Sequence, residues 1–265
     1  MRPARDEKEW IFVSDAHFTG RHPGEMESFL SLLDQEKGAM GHLVILGDLF
    51  EFLFGFTPPT SGHASPFDGG SFPYPDYLPV FRQLFSLYQQ GIQIQYFEGN
   101  HDFSLRSFFA GHFGINVEVY SEGHEESLGS KRAFIAHGDL SNPRQWKYRT
   151  FRRFLKNRVT EQILRRVGPA FTRQVAQRLN ELSHQYYHQN RPAKPSCAFR
   201  SFAHQKFLEG FEVVILGHSH IPETAEEWID GKNCLYYNVG DWMNHRSYLR
   251  FVPPDRFTLE RYEKP

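Results

Sequence analysis

The chain has 265 residues, of which 40% are hydrophobic, and its formal net charge at pH 7 is −1. This length suits one large α/β domain with an insertion, and the near-neutral charge points to no nucleic-acid partner. The two cysteines, Cys197 and Cys234, lie far apart without CxxC spacing, so they indicate neither a disulfide framework nor a zinc ribbon and favour a reducing compartment.

The first ten residues, MRPARDEKEW, carry charges and lack the apolar segment of a secretory signal. No later apolar run is long enough to span a bilayer. We therefore expect a cytoplasmic protein that is either soluble or peripheral on a membrane.

Six short runs rich in β-branched and other apolar residues predict buried strands, and each ends in small or ligand-type residues. The runs lie at residues 10–14, 43–46, 92–97, 133–136, 213–216 and 236–239. Helical patterns separate several of them, for example at 26–35 and 77–90. This alternation predicts an α/β fold with ligand residues at the carboxyl ends of the strands.

Two stretches interrupt the alternation. Residues 57–75 are rich in Pro, Gly and Ser, which predicts an exposed, mobile loop. Residues 142–189 have helical periodicity, with Gly168-Pro169 between two apolar sets. The sets are Leu155, Val159, Ile163 and Val167, and then Phe171, Val175, Leu179, Leu182 and Tyr186. We predict a helical cap at 142–189, inserted into a core formed by 1–141 and 190–265.

Five fragments with ligand-type side chains each follow a predicted strand. They are Asp15-x-His17, Gly47-Asp48, Gly99-Asn100-His101-Asp102, His137-Gly138-Asp139 and Gly217-His218-Ser219-His220. Each fragment alone is a weak signal, but all five in order at strand ends are hard to obtain by chance. In an extended chain, the x-separated pairs place both side chains on one side. Glycine lets the chain turn sharply and approach closely.

The fragments combine carboxylate, imidazole and amide groups, a mixture that suits Mn, Fe or Zn better than Ca or Mg. Six to eight ligands sharing one carboxylate are what two metal ions about 3.5–4 Å apart require. The fragments therefore predict a two-metal site. Such a site activates water, so hydrolysis at it needs no protein nucleophile.

This ordered set resembles the calcineurin-like metallophosphoesterase superfamily, whose pattern is DxH, GD, GNH[DE], H and GHxH. The resemblance implies a four-layer α/β/β/α sandwich with a helical cap and two divalent ions, with Mn²⁺ preferred over Fe or Zn. It implies that Asp15, His17 and His220 bind the first metal, that Asn100, His137 and His218 bind the second, and that Asp48 bridges them. His101 would stabilise the transition state or protonate the leaving oxygen, and Asp102 would orient the His101 ring.

Further motifs look like the UDP-2,3-diacylglucosamine diphosphatase branch. They are the Gly47–Glu51 segment with its aromatic run to Phe56, Gly99-Asn100-x-Asp102-Phe103, and Gly240-Asp241-Trp242. That branch cleaves the pyrophosphate of a UDP-linked diacyl sugar to lipid X and UMP in lipid A synthesis. It implies a lipid-linked nucleotide-sugar substrate and a peripheral position on the inner membrane. The chain departs from the branch at His101, where Arg is common.

The cap is strongly basic, with eleven Lys or Arg and one Glu between Arg144 and Arg178. Such a run is usually a solvated face, but beside a phosphate site it fits anionic head groups or a membrane surface equally well. The residues predicted to bind substrate, from position and charge, are Arg144, Lys147, Arg149, Arg152 and Arg153. The 26 phenylalanines fit either an aromatic-rich core or, for some of them, a pocket for an apolar ligand.

Alternatives to the lipid substrate remain open. A metallophosphatase or phosphodiesterase of a soluble nucleotide, nucleotide pyrophosphate or phosphoprotein has the same metal ligands. A non-enzymatic scaffold predicts lost ligands, and none is missing. His245 and Arg246 have either a substrate-contacting or a structural role, whereas Trp242 is expected to pack.

Overall fold

The computed structural model describes residues 8–20, 23–58, 65–68, 72–169 and 196–263, together with 171, 172, 174 and 178. The helices whose bounds lie in these ranges are α1 (Pro23–Glu36), α2 (Leu78–Gln89), α3 (Phe108–Phe113), α4 (Trp146–Leu155), α5 (Arg158–Val167) and α6 (Ser196–Leu208). Two single 3₁₀ turns lie at Pro66–Asp68 and Pro75–Tyr77. Among the helices in these ranges, none is both long enough and apolar enough to cross a membrane.

The first sheet has six strands in the order β13-β12-β1-β2-β4-β6. Their bounds are β1 (Glu9–Val13), β2 (Met40–Ile45), β4 (Gln93–Phe97), β6 (Glu118–Tyr120), β12 (Ser247–Val252) and β13 (Arg256–Arg261). Strands β1, β2, β4 and β6 are parallel. At one edge, β12 pairs antiparallel with β1, and β13 pairs antiparallel with β12. The carboxyl ends of β1, β2 and β4 therefore meet at one edge of this sheet.

The second sheet has five strands in the order β10-β11-β9-β8-β7. Their bounds are β7 (His124–Leu128), β8 (Lys131–Ile135), β9 (Val213–Leu216), β10 (Glu223–Ile229) and β11 (Lys232–Asn238). Its central strands β8, β9 and β11 run parallel. A small parallel pair, β3 (Leu53–Phe54) and β5 (Asp102–Phe103), forms a third sheet.

Three apolar clusters separate four layers. The first packs α1, α2 and α3 against one face of the six-stranded sheet, and it includes Phe29 and Phe81 from the helices and Ile11 and Ile45 from the strands. The second lies between the two sheets, and the third packs α6 against the other face of the five-stranded sheet. The strand side chains alternate between these clusters, as period-two patterning requires. The four-layer α/β/β/α sandwich expected from the resemblance is confirmed.

Most of the phenylalanines that the first cluster contains are fully buried and pack on one another. Phe81 lies at its centre, stacking on Phe50 and Phe113 at ring distances of 5.0 Å each. The interpretation of these rings as an aromatic-rich core is therefore confirmed. Trp242 also packs: it is buried and its Nε1 donates to the Glu25 carbonyl at 3.1 Å.

The described residues of 57–75 do not form the exposed loop that the sequence predicted. Phe67 and Phe72 pack against the first apolar cluster, and the buried Tyr74 hydroxyl donates to the Phe54 carbonyl at 2.9 Å. Three aromatic side chains among the Pro, Gly and Ser residues thus bind this segment to the core. Residues 59–64 and 69–71 lie outside the described residues.

The cap begins with two helices where the apolar spacing predicted one helix from Leu155 to Val167. Helix α4 ends at Leu155, and Asn157 caps α5 by accepting a hydrogen bond from the Thr160 amide at 2.8 Å. An Asn at this position favours a new helix start because its side chain satisfies a free amide. Most of the second predicted set, from Val175 to Tyr186, lies outside the described residues, and the division into core and cap stays a prediction.

Candidate metal centre

The loops that follow the parallel strands adopt unusual backbone conformations. Asp15, His17, Asp48, His218 and His220 all have positive φ, between 45° and 64°. Non-glycine residues in this region are strained, and such strain clusters at functional sites. Asp15 and His17 are both left-handed, so this segment is not the extended chain that the spacing suggested.

Glycines allow the loops to approach one another closely. Gly47 has φ of 82°, and a Cβ there would lie 2.7 Å from His137 Nδ1. A Cβ on Gly99 would lie 2.1 Å from Asp48 Oδ1. The close approach expected of these glycines is therefore present at both positions, and any side chain would displace the residues that line the site.

A first group of side chains gathers around Asp15. His17 Nε2 and His220 Nε2 lie 3.9 and 3.5 Å from Asp15 Oδ1. Asp48 Oδ2 lies 3.9 Å from His17 Nε2, on the side that leads to the second group. The ligand atoms of Asp15, His17 and His220 all lie within 4.8 Å of one another, which is close enough to hold one cation.

A second group gathers around His137. Its Nε2 lies 3.2 Å from Asn100 Oδ1, 3.1 Å from His218 Nδ1 and 3.5 Å from Asp48 Oδ2. Asp48 therefore lies between the two groups. Asp15 is also near the second group, because its Oδ2 accepts from the His218 amide at 2.8 Å across the two sheets.

The seven residues that the sequence predicted as metal ligands thus converge from five loops on the two sheets. The donor atoms of these residues fit divalent cations. Asp15 Oδ1 and His17 Nε2 are buried without a hydrogen-bond partner. Buried polar atoms are normally hydrogen-bonded, so unpartnered atoms in a cluster of ligand-type side chains are suited to binding a cation.

The electrostatics of the cluster agree with this conclusion. Burial alone would lower the pKa of His17, but the carboxylates of Asp15 and Glu51 raise it to about 10. Burial opposes protonation of His137 as well, and the Asp48 carboxylate raises that pKa to about 10. The carboxylates therefore stabilise positive charge at this site by more than burial destabilises it. A divalent cation carries more positive charge than a proton, so the same carboxylates favour its binding.

His101 lies at the edge of the two groups. Its ring packs edge-on against His17 with centroids 4.6 Å apart, and its amide donates to Asp48 Oδ1 at 2.8 Å. Its Nδ1 lies 2.8 Å from the Glu51 carbonyl. The other ring nitrogen is thereby left for a ligand.

Asp102 does not hold the His101 ring, contrary to expectation. Its carboxylate accepts from the Gly99 amide at 2.5 Å, the Tyr96 hydroxyl at 2.6 Å and the Leu49 amide at 3.3 Å. Asp102 starts β5, and successive side chains on a strand point to opposite faces. Asp102 therefore braces the loops beneath the site, and the Glu51 carbonyl orients His101.

Two of the basic residues predicted to bind substrate contact the core. The buried Arg152 pairs with Asp139 through Nε and Oδ2 at 2.5 Å, and its Nη2 donates to the Ser121 carbonyl at 2.8 Å. Arg149 Nη1 donates to the Leu140 carbonyl at 2.7 Å. These contacts dock α4 on the loop that carries the His137-Gly138-Asp139 fragment. The positive charge of Arg149 and Arg152 in the sequence does not distinguish this docking role from substrate binding.

Arg144 and Arg153 are exposed, whereas the side chain of Lys147 lies outside the described residues. The substrate-binding role of all five basic residues stays a prediction.

The chain is similar to several known proteins. The family model described as calcineurin-like phosphoesterase matches residues 10–222. A protein of Aromatoleum aromaticum named UDP-2,3-diacylglucosamine hydrolase is 25% identical over 91% of this chain and 92% of its own length. One of the same name from Aliivibrio fischeri is 26% identical over 91% and 93%. A solved archaeal phosphodiesterase aligns over 96% of this chain and 99% of its own, with 13% identity and a TM-score of 0.46.

Proposed function

We propose that this chain, which belongs to the calcineurin-like phosphoesterase family and is a metal-dependent phosphoester hydrolase, cleaves the pyrophosphate of UDP-2,3-diacylglucosamine to UMP and lipid X. The observation that carries the substrate proposal is the match to hydrolases of that name along nearly their whole length. In this proposal, water adds to one phosphorus while the bridging P–O bond breaks, and the reaction belongs to lipid A synthesis.

The residues of the site have separate parts in this reaction. Two divalent cations, for which we propose Mn²⁺, supply Lewis acidity and lower the pKa of water when bound. Asp48 holds the two ligand groups at a fixed separation because its carboxylate lies beside both. His101, fixed through Nδ1 by the Glu51 carbonyl, presents its other nitrogen to a phosphoryl or leaving oxygen.

The substrate proposal predicts strong selection for acyl chains. With Mn²⁺ present, we expect kcat/KM for UDP-2,3-diacylglucosamine to exceed that for UDP-N-acetylglucosamine by about 10²-fold or more. Burying four methylenes contributes about 3 kcal/mol, which corresponds to that ratio. Bis-p-nitrophenyl phosphate and simple nucleotides serve as further comparisons, with product identity checked by mass spectrometry.

Equal or faster turnover of the unacylated nucleotides would instead favour a hydrolase of soluble substrates. His101 supports that second candidate, because the lipid-specific branch commonly has Arg there while the wider superfamily has His. Absence of Mn²⁺-dependent turnover on every substrate would contradict both.

A peripheral contact with anionic lipid is the second part of the proposal. Val159, Ile163 and Val167 follow one another at four-residue spacing on α5 and are 66%, 54% and 46% exposed. Arg158 and Arg166 are exposed on the same helix. An amphipathic helix with apolar residues flanked by arginines suits the surface of an anionic bilayer, and the substrate proposed here resides in a membrane.

We expect the variant Ile163→Glu to bind vesicles containing phosphatidylglycerol about tenfold more weakly in co-sedimentation, because it loses an apolar contact and adds like charge. Leu208→Glu is the matched control, since Leu208 is also an exposed aliphatic side chain but ends α6. Unchanged binding of the Ile163 variant, or an equal loss in both variants, would argue against contact through α5.

A further inference from the structure

Asp241 is a buried carboxylate outside the seven predicted ligands. It follows β11, the third central parallel strand of the five-stranded sheet, and has no exposed surface. The backbone brings it to the site, since the amide of the next residue, Trp242, donates to the Asp15 carbonyl at 3.2 Å. A charge in such a place requires partners, because desolvation of an unpaired carboxylate is costly.

The partners of Asp241 come from the turn after it and from the site. Its Oδ1 accepts from the amides of Asn244 and His245 at 3.1 and 3.0 Å and lies 2.9 Å from His245 Nδ1. Its Oδ2 accepts from Asn244 Nδ2 at 2.7 Å. The two backbone amides thus fix the orientation of the carboxylate, and the Asn244 side chain adds one further hydrogen bond.

The same Oδ2 lies 3.4 Å from His220 Nδ1, while His220 Nε2 lies 3.5 Å from Asp15 Oδ1 on the opposite side of the ring. A proton on Nδ1 is favoured by the carboxylate beside it. That tautomer leaves the Nε2 lone pair directed toward Asp15, where a cation of the first group would bind.

The two ligand groups differ in this respect. In the second group, His137 Nδ1 contacts a neutral backbone carbonyl, that of Leu46, at 2.5 Å. A carboxylate accepts a stronger hydrogen bond from an imidazole N–H than a neutral carbonyl does. It thereby raises the basicity of the other ring nitrogen, which would coordinate the metal.

We propose that Asp241 is a positioning residue that fixes the tautomer and orientation of His220 and thereby raises the affinity of the first metal position. This inference rests on the proposed metal centre, and it adds a residue to the support of that centre. Asp241 touches neither substrate nor the reacting atoms, so its effect passes through His220.

Direct Mn²⁺ titration of the metal-free full-length protein, with free Mn²⁺ counted by electron paramagnetic resonance, tests the proposal. We expect two ions in the wild type and, in Asp241→Ala, a loss of about 10–100-fold in affinity for one of them. Excess Mn²⁺ should restore kcat in this variant. Asp241→Asn keeps the side-chain volume without the charge, and we expect an intermediate loss of affinity; it serves in place of Asp241→Ala should that variant not fold.

Asn244→Ala is the matched control, since it removes the 2.7 Å hydrogen bond but leaves the contact of Asp241 with His220. It should bind both ions as the wild type does. Wild-type affinity in both Asp241 variants, or an equal loss in Asn244→Ala, would overturn the positioning role while leaving the hydrolase proposal intact. A wild type that binds no Mn²⁺ would instead refute the metal centre itself.

Discussion

Replacement of Asp48 with alanine is expected to abolish turnover on every substrate, by about 10⁴-fold or more in kcat/KM, as loss of a central member of a catalytic unit does. Asp48 Oδ2 lies 3.9 Å from His17 Nε2 and 3.5 Å from His137 Nε2, so its carboxylate lies beside a histidine of each group. Without it, both ligand groups would lose a carboxylate that would hold divalent cations, and bound Mn²⁺ measured by mass spectrometry should fall as well.

The fold needs a separate check, since Asp48 also accepts a hydrogen bond from the His101 amide. Asp48→Asn preserves volume and that acceptor, and we expect a folded protein by circular dichroism with strongly reduced activity. Asp34→Ala, at an exposed carboxylate paired with Lys37 on α1, should behave as the wild type. Wild-type activity in Asp48→Ala would refute the two-metal mechanism.

Replacement of His101 with alanine is expected to lower kcat by about 10²–10⁴-fold, the range associated with loss of a general acid or base. Metal content should be largely retained, because the ring is held by the Glu51 carbonyl at the edge of the two groups. Pre-steady-state turnover together with metal analysis distinguishes slower chemistry from loss of an ion.

His101 also lies close enough to His17 and Asp48 to be a ligand in its own right. Loss of one equivalent of Mn²⁺ in His101→Ala would therefore reassign it from catalysis to metal binding. His204→Ala, at an exposed histidine of α6 that pairs with Glu227, is the control for histidine removal and should retain full activity.

The position of the candidate metal ligands was predictable from local sequence. Asp15 and His17 directly follow β1, as Asp48 follows β2 and His218 follows β9. The carboxyl ends of neighbouring parallel strands meet at one edge of a sheet. A residue that follows such a strand in the sequence must therefore lie near that edge. A close approach at Gly47 was also expected from the Gly-Asp sequence. In the structure, a Cβ on Gly47 would lie 2.7 Å from His137 Nδ1.

Other features depend on contacts between residues far apart in the chain. The Glu51 carbonyl, fifty positions from His101, orients that ring, and Arg152 pairs with Asp139 although its charge alone suggested substrate binding. Neither composition nor spacing predicts which partner a buried charge finds, because the energetic gain depends on burial and on the geometry of the pair.

The sequence by itself determined the α/β class and the order of the ligand fragments, since strand periodicity and the residues that end each strand are local properties. Only the tertiary structure decided that Asp241 stands behind His220, twenty-one positions away in the chain, and that Phe50, Phe81 and Phe113 form a core. Those outcomes arise from the packing of layers on one another, which a one-dimensional pattern does not record.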